Sequence, residues 1–208
     1  MSNLQTLLEI SSSRHTHLCP RQVLGTRMGL AGAVALGLAL PRKDKGLLII
    51  LETDGCFADG IEVATGCSVG HRTLRIEDYG KIAATFIEVK TERALRLAPR
   101  ANVRERAWKY APDEHRHYFA QLEGYQQMPV DELFTFQEVA LTKPLREILS
   151  RPGLRVQCDL CGEEIINERE IYQDHLRLCQ GCATHAYYQP IPPVAEVWPG
   201  LLTVTTQG

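Results

Sequence analysis

Four cysteines in the stretch CDLCGEEIINEREIYQDHLRLCQGC form two pairs, Cys158-x2-Cys161 and Cys179-x2-Cys182, with seventeen residues between them. A CxxC turn lets two thiolates reach one ion at about 2.3 Å, and two such turns complete a tetrahedral all-sulfur shell. Zinc is the expected occupant, with iron the alternative for four thiolates. Unligated, the same four thiols would invite oxidation. His175 and His185 lie in this segment too, but the cysteines already fill the shell.

A second group is RHTHLCPRQ, where His15, His17 and Cys19 occupy alternate positions. Residues i and i+2 of a helix point apart, so the two imidazoles converge only on extended or irregular backbone. Pro20 suits the first position of a helix, which leaves the histidines upstream and puts Cys19 at the cap. There the helix dipole should favour the Cys19 thiolate. Two exposed histidines and a buried structural cysteine remain the alternative. The third group is ETDGCFADG, which follows an apolar run. Ligands in α/β architectures collect beyond the carboxyl ends of strands, so Asp54, Cys56 and Asp59 are expected to share a cleft.

We therefore expect a core metal site made of His15, His17 and Cys56. Two imidazoles and a thiolate suit a divalent zinc, nickel or iron ion. With one coordination position open, such a site would activate water, using Asp54 or Asp59 as general base. Cys56, Asp59, Asp54 and Cys19 are the catalytic candidates. If Phe57 to Thr65 is helical, its ends lie about 13 Å apart. Cys56 and Cys67 then cannot share an ion within one chain, and Cys67 is left as a structural or second-site thiol. GCSVGHRT is not a phosphate loop, because it is one residue short between its glycines and has His71 where lysine belongs. His115 and His117, in a charged helical stretch, read as solvated or packing residues.

These groups need elements to hold them. Apolar spacing predicts a short first helix in NLQTLLEI. A second helix runs from Pro20 toward Pro41, and its small residues (Gly25, Gly29, Gly32, Ala33, Gly37) invite close approach by a neighbour. A sheet on one side and a second protomer on the other would fit them. GLLIILE predicts a buried strand over Leu47 to Glu52, followed by a helix over Phe57 to Thr65 that Gly66 terminates. Ile82 to Val89 and Ala94 to Leu97 predict a hairpin across KTE. NVRERAWKYA, DEHRHYFAQLEGYQ and PVDELF read as helical, and TFQEVAL as a strand. GEEIINEREIY suits a hairpin and CATHAYY a helix start, which together suggest a treble-clef-like finger.

The expected fold is thus α+β: a mixed core of helices packed on a sheet over residues 1–152, then a finger over 153–188. A Pro-rich arm over 189–208 completes it. Composition is that of a globular protein, 44% hydrophobic and 23% charged, with a formal net charge of −2. That balance gives no global pull toward nucleic acid or anionic lipid. From Arg151 onward four basic residues face seven acidic ones, so nucleic acid is an unsuitable partner for the finger. Protein contact or structural capping suits it better. The longest apolar run, Met28 to Leu40, has 13 residues, and a bilayer span needs roughly 20. The N-terminus lacks a signal-peptide pattern. The CxxC usage suits thiolate ligands in a reducing compartment, so we expect a cytoplasmic protein with no membrane partner.

HTHLCPRQVLGTRMG, ETDGCFADGIEVATGCSVGHRTLRIEDYGKIAATF and the trailing finger together resemble the FmdE family of formylmethanofuran dehydrogenase proteins, over about residues 11 to 185. The finger alone is similar to that of the DksA/TraR proteins, through its spacing and CGEEI. The FmdE resemblance implies an α+β core with an appended treble-clef zinc finger, assembled as an intertwined homodimer. It also implies association with molybdenum or tungsten formylmethanofuran (or formate) dehydrogenase operons, without a settled activity. The motif positions it carries over are His15, His17, Cys19, Cys56, Asp59, Gly66 and Cys67. Thr16 and Arg21 stand where the family has glycines, and Arg21 is expected to narrow access. Two functions follow: a core metal site that serves catalysis or metal handling, or an accessory protein acting through finger contacts.

Overall fold

In a computed structural model, residues 3–184, 186–189 and 191 are described; the Pro-rich arm and His185 lie almost wholly outside them. The chain divides into two compact units, Met1–Ile148 and Leu149–Gly208.

The first unit opens with α1 (Leu4–Ser12), whose first turn is capped by the Asn3 side chain, and α2 (Pro20–Ala35), which begins at the expected proline. β1 (Leu47–Leu51), α3 (Cys56–Thr65) and β2 (Leu74–Ile76) form a strand-helix-strand crossover, since β1 and β2 pair in parallel. Gly66 ends α3 in the left-handed region, at φ 74°, where glycine carries no Cβ penalty. β3 (Ala84–Glu88) and β4 (Ala94–Pro99) make the expected antiparallel hairpin. After them come α4 (Val103–Arg106), a 3-10 turn (Ala107–Tyr110), α5 (His117–Gln127), α6 (Val130–Leu133), β5 (Phe134–Val139) and α7 (Leu145–Leu149). The sheet order is β2-β1-β3-β4-β5, with every pair but the first antiparallel. Helices packed on this mixed sheet give the α+β core that the sequence implies.

The core lies between sheet and helices. Leu47, Ile49, Leu51, Phe86 and Leu97 from the strands meet Val23 and Met28 of α2 and Phe57 and Ile61 of α3. Phe57 and Ile61 are four apart, so both face the sheet from one side of α3. Two sequence expectations change here. α2 stops at Ala35, because Gly37 turns the chain at φ 70°. Its small residues also face inward: a Cβ on Gly25 would lie 2.2 Å from the Phe57 carbonyl oxygen, one on Gly29 2.8 Å from the Ala64 Cβ, and one on Gly32 2.7 Å from the Phe86 ring. The close neighbours are α3 and the sheet of the same chain, so this helix is no independent argument for a dimer.

Arg27 of α2 closes the end of α5. Its Nη1 donates to the carbonyls of Tyr125 (2.6 Å), Gln126 (3.3 Å) and Met128 (2.5 Å), which the helix end leaves without partners. Burial holds its pKa below the usual value, yet arginine stays charged at any physiological pH. Arg27→Met keeps much of the packing and strands the three carbonyls. Urea denaturation should show a loss of about 2 kcal/mol, and a loss below the experimental scatter would contradict this role.

In the second unit, β6 (Arg155–Gln157) pairs with β7 (Glu164–Ile166), and β8 (Ile171–Gln173) with β9 (Leu176–Leu178), before the short helix α8 (Gln180–Ala183). GEEIINEREIY is therefore split between two hairpins. Asn167 and Glu168 adopt positive φ (63° and 55°) and turn the chain out of β7 before β8 begins. No helix among the described residues is long and apolar enough to cross a membrane.

Candidate metal centres

In the finger, the first CxxC sits in the turn that joins β6 to β7, and the second opens α8. The turn is closed by Cys158 N–H donating to the Glu163 carbonyl and Gly162 N–H donating to the Cys158 carbonyl, both at 2.9 Å. Asp159 ties it to β9, accepting from the Arg177 backbone N–H at 2.7 Å and from its guanidinium at 2.8 Å. This ion pair holds the Asp159 carboxyl below its usual range. The four sulfurs all lie within 4.8 Å of one another, and Cys161 Sγ is 3.9 Å from Cys179 Sγ. A tetrahedral zinc shell sets sulfurs about 3.8 Å apart, so the cluster fits the ion.

The electrostatics agree. Backbone N–H groups of Cys161 and Cys179 lower the Cys158 thiol to about 6, the Cys179 N–H at 3.3 Å from its sulfur. Cys182 is pushed up to about 12, first by its hydrogen bond to Cys179 and then by burial. The Cys158 thiolate forms readily, while Cys161 and Cys182 resist until a cation neutralises the group.

The core holds a different arrangement. Cys19 is the N-cap of α2 and Cys56 the first residue of α3. The glycine contact between these helices brings Cys19 close enough to act on the Cys56 thiol. Burial, followed by the neighbouring Cys19 side chain and its charge, raises the Cys56 pKa. The Cys19 backbone N–H donates to Gln22 Oε1 at 2.8 Å, and Gln22 Nε2 donates to the Ser11 carbonyl at 2.8 Å, which anchors the cap to α1. Residues 13–17 form an irregular turn, as the alternate histidines require. His15 Nε2 lies 2.7 Å from Asp59 Oδ2, one turn into α3 from Cys56. Arg14 Nη1 bridges Glu62 at 2.8 Å and Asp59 at 3.5 Å.

The remaining candidates disperse. His17 Nδ1 meets Thr16 Oγ1 at 3.0 Å at the exposed surface. Asp54 is exposed and makes no ion pair or side-chain hydrogen bond among the described residues, so it does not join Cys56 and Asp59. Cys67 is buried 3.7 Å from the Leu47 carbonyl, and burial raises its pKa. Among the described residues only the finger gathers three or more ligand atoms within 4.8 Å. Two neighbours of the core thiols are added by the structure. Tyr118 donates its hydroxyl to the Leu18 carbonyl at 3.2 Å, and burial and the charges of Cys19 and Cys56 raise its pKa. Nothing in the sequence near Tyr118 points to this. Gln22 is legible in principle, because Cys19-x-x-Gln22 has capping-box spacing.

The family model described as FmdE, molybdenum formylmethanofuran dehydrogenase operon, matches residues 14–135. A "Probable S-adenosyl-L-methionine-binding protein" of Archaeoglobus fulgidus is 34% identical over 127 residues, 59% of this chain and 35% of that protein. The chain thus spans only about a third of that relative's length. The crystal structure of a tungsten formylmethanofuran dehydrogenase FmdE-like protein from Syntrophus aciditrophicus matches at TM-score 0.55 and 19% identity, covering 90% of this chain and 96% of the other. That likeness supports the fold, and the family match covers Arg14 through β4 and into β5, including the core residues from Arg14 to Tyr118. The chain belongs to the FmdE family.

Proposed function

We propose that this is a metal-binding protein of molybdenum or tungsten formylmethanofuran (or formate) dehydrogenase-type metabolism, with zinc in a treble-clef finger and a second transition ion in the core. The observation that carries the core site is the meeting of Cys19 and Cys56 at two helix N-termini. Two thiolates there suit zinc, nickel or iron, and such an ion supplies Lewis acidity or redox chemistry when bound. The ligand atoms of His15, Cys19 and Cys56 do not all lie within 4.8 Å of one another, so His15 would complete the set only as its loop closes on the ion; Asp59 holds its Nε2 and leaves Nδ1 for the metal, the carboxylate-histidine pairing common around metals. Asp59, steadied by Arg14, orients the imidazole and can accept a proton from it. His17, on the same loop, is the alternative imidazole.

Metal analysis decides this in protein made without chelators or nickel affinity resin. A variant with all four finger cysteines replaced should retain one equivalent per chain, and Cys56→Ala with His15→Ala should abolish it. No residual equivalent in the finger variant would sink the core site. Should His17→Ala remove the metal where His15→Ala does not, the ligand assignment changes but the site stands.

A second reading, an accessory protein acting through its finger, is favoured by apolar side chains on the finger surface. Leu160 is 68% exposed and Tyr172 69%. Loss of every partner on removing residues 152–208, with no core metal, would support it over the first. The seven unpaired thiols suit a reducing, cytoplasmic setting, and we retain the homodimer as part of the proposal.

A further inference from the structure

A cavity of about 470 Å³ opens at the carboxyl end of β4, between the segment leading into β3 and the helical turn α4. Its volume is that of a small-molecule site. Lys81, Arg96, Arg100 and Arg104 line it, with Glu105 the one carboxylate in the lining. Even counting Glu52 against Arg96, two positive charges are unmatched, in a chain whose formal net charge is −2.

The cations are held in place to different degrees. Glu52, only 7% exposed, clamps Arg96 through a two-pronged pair, Nε to Oε1 at 2.5 Å and Nη2 to Oε2 at 2.7 Å. Arg100 Nε donates to the Asp131 carbonyl at 2.5 Å, a contact that leaves its charge unneutralised. Neither Lys81 nor Arg104 makes an ion pair among the described residues. Tyr125 lines the same space, and burial raises its pKa to about 12, so its phenol adds no competing negative charge at neutral pH.

Lys81, Arg100 and Arg104 are exposed, so their mutual repulsion is screened, but a concave cluster of one sign still raises the local concentration of an anion and attracts it. Fixed guanidinium groups match the paired oxygens of phosphate or carboxylate and lose little freedom on binding them.

We infer that this cavity binds a small molecule bearing clustered anionic oxygens, a phosphate ester or a polycarboxylate. Arg96 and Arg100 are its fixed cationic wall and Lys81 and Arg104 its free donors. The site shares no residue with the Cys19–Cys56 neighbourhood and does not depend on the metal reading.

Calorimetric titration of the full chain with inorganic pyrophosphate and with citrate, each against sodium chloride at matched ionic strength, tests this. Saturable binding of either anion is expected. Lys81→Gln with Arg104→Gln should weaken it about tenfold or more, and Lys90→Gln, in the exposed turn after β3, should not. Pyrophosphate alone would mark a phosphoryl ligand, citrate alone a carboxylate one. On the natural chain, amide shifts on adding the bound anion should centre on Lys81 and on residues 96–104, whatever the variants' stability. No saturable binding, shifts centred elsewhere, or binding indifferent to the double substitution would overturn the inference.

Discussion

Stripping the protein of metal with a strong chelator should unfold the finger and leave the five-stranded sheet intact. The buried core of the finger consists of Cys158, Ile165 and Leu178, and its hairpins are built from strands of three residues. Isolated hairpins of that length are not stable in water, and a core this small cannot offset the entropy of ordering the chain. Surface pairs such as Arg155 with Glu164 add little. A four-thiolate zinc site contributes roughly 10 kcal/mol or more of apparent binding free energy at neutral pH, and with the zinc proposed above in this cluster that energy would be folding energy. Amides of residues 155–178 should therefore lose hydrogen-exchange protection on chelation, while those of β1, β3 and β4 keep theirs. Cys161→Ser should reproduce the loss without chelator. Protection that survives both treatments would mean the finger folds on its own contacts.

Gly60→Ala should be among the most damaging single methyl additions in the core. A Cβ there would lie 2.4 Å from the Gln22 carbonyl oxygen and 2.6 Å from the Thr26 nitrogen, both backbone atoms of α2 that no rotamer change can move. The helices must separate, opening the packing of Phe57 and Ile61 behind them. Overpacking of this kind costs about 3 kcal/mol, and more where backbone must shift. Gly70→Ala is the control, because nothing lies within 4 Å of its Cβ position. The same separation pulls Cys56 from Cys19, so metal held at the proposed core site should fall with stability. Gly60→Ala at natural stability would show that the helix contact is looser than these distances imply.

Much of the scaffold is legible because its signals are local. Pro20 marks the start of α2, Gly66 the end of α3, and an apolar run on either side of KTE the β3–β4 hairpin. β2 is not legible, since Leu74–Ile76 is too short to show a period and exists by pairing with β1. The division of GEEIINEREIY between two hairpins is equally hidden, because its polar turn residues could close either one. The small residues of α2 announce a close neighbour, and the structure identifies it as α3 together with the sheet of the same chain.

The finger's ligand set is determined by sequence alone. Each CxxC is local, one in a hairpin turn and one at a helix start, so thiol geometry follows from spacing, and only the approach of the two pairs needs a fold. The core depends on tertiary structure. Sequence places Cys19 at a cap and Cys56 beyond a strand, but their meeting needs two helices that touch through Gly25 and Gly60. The same docking sets His15 on Asp59 and leaves Asp54 in solvent. Helix-helix approach depends on atoms absent from glycine, and periodicity shows where such residues lie without saying which surface fills the gap.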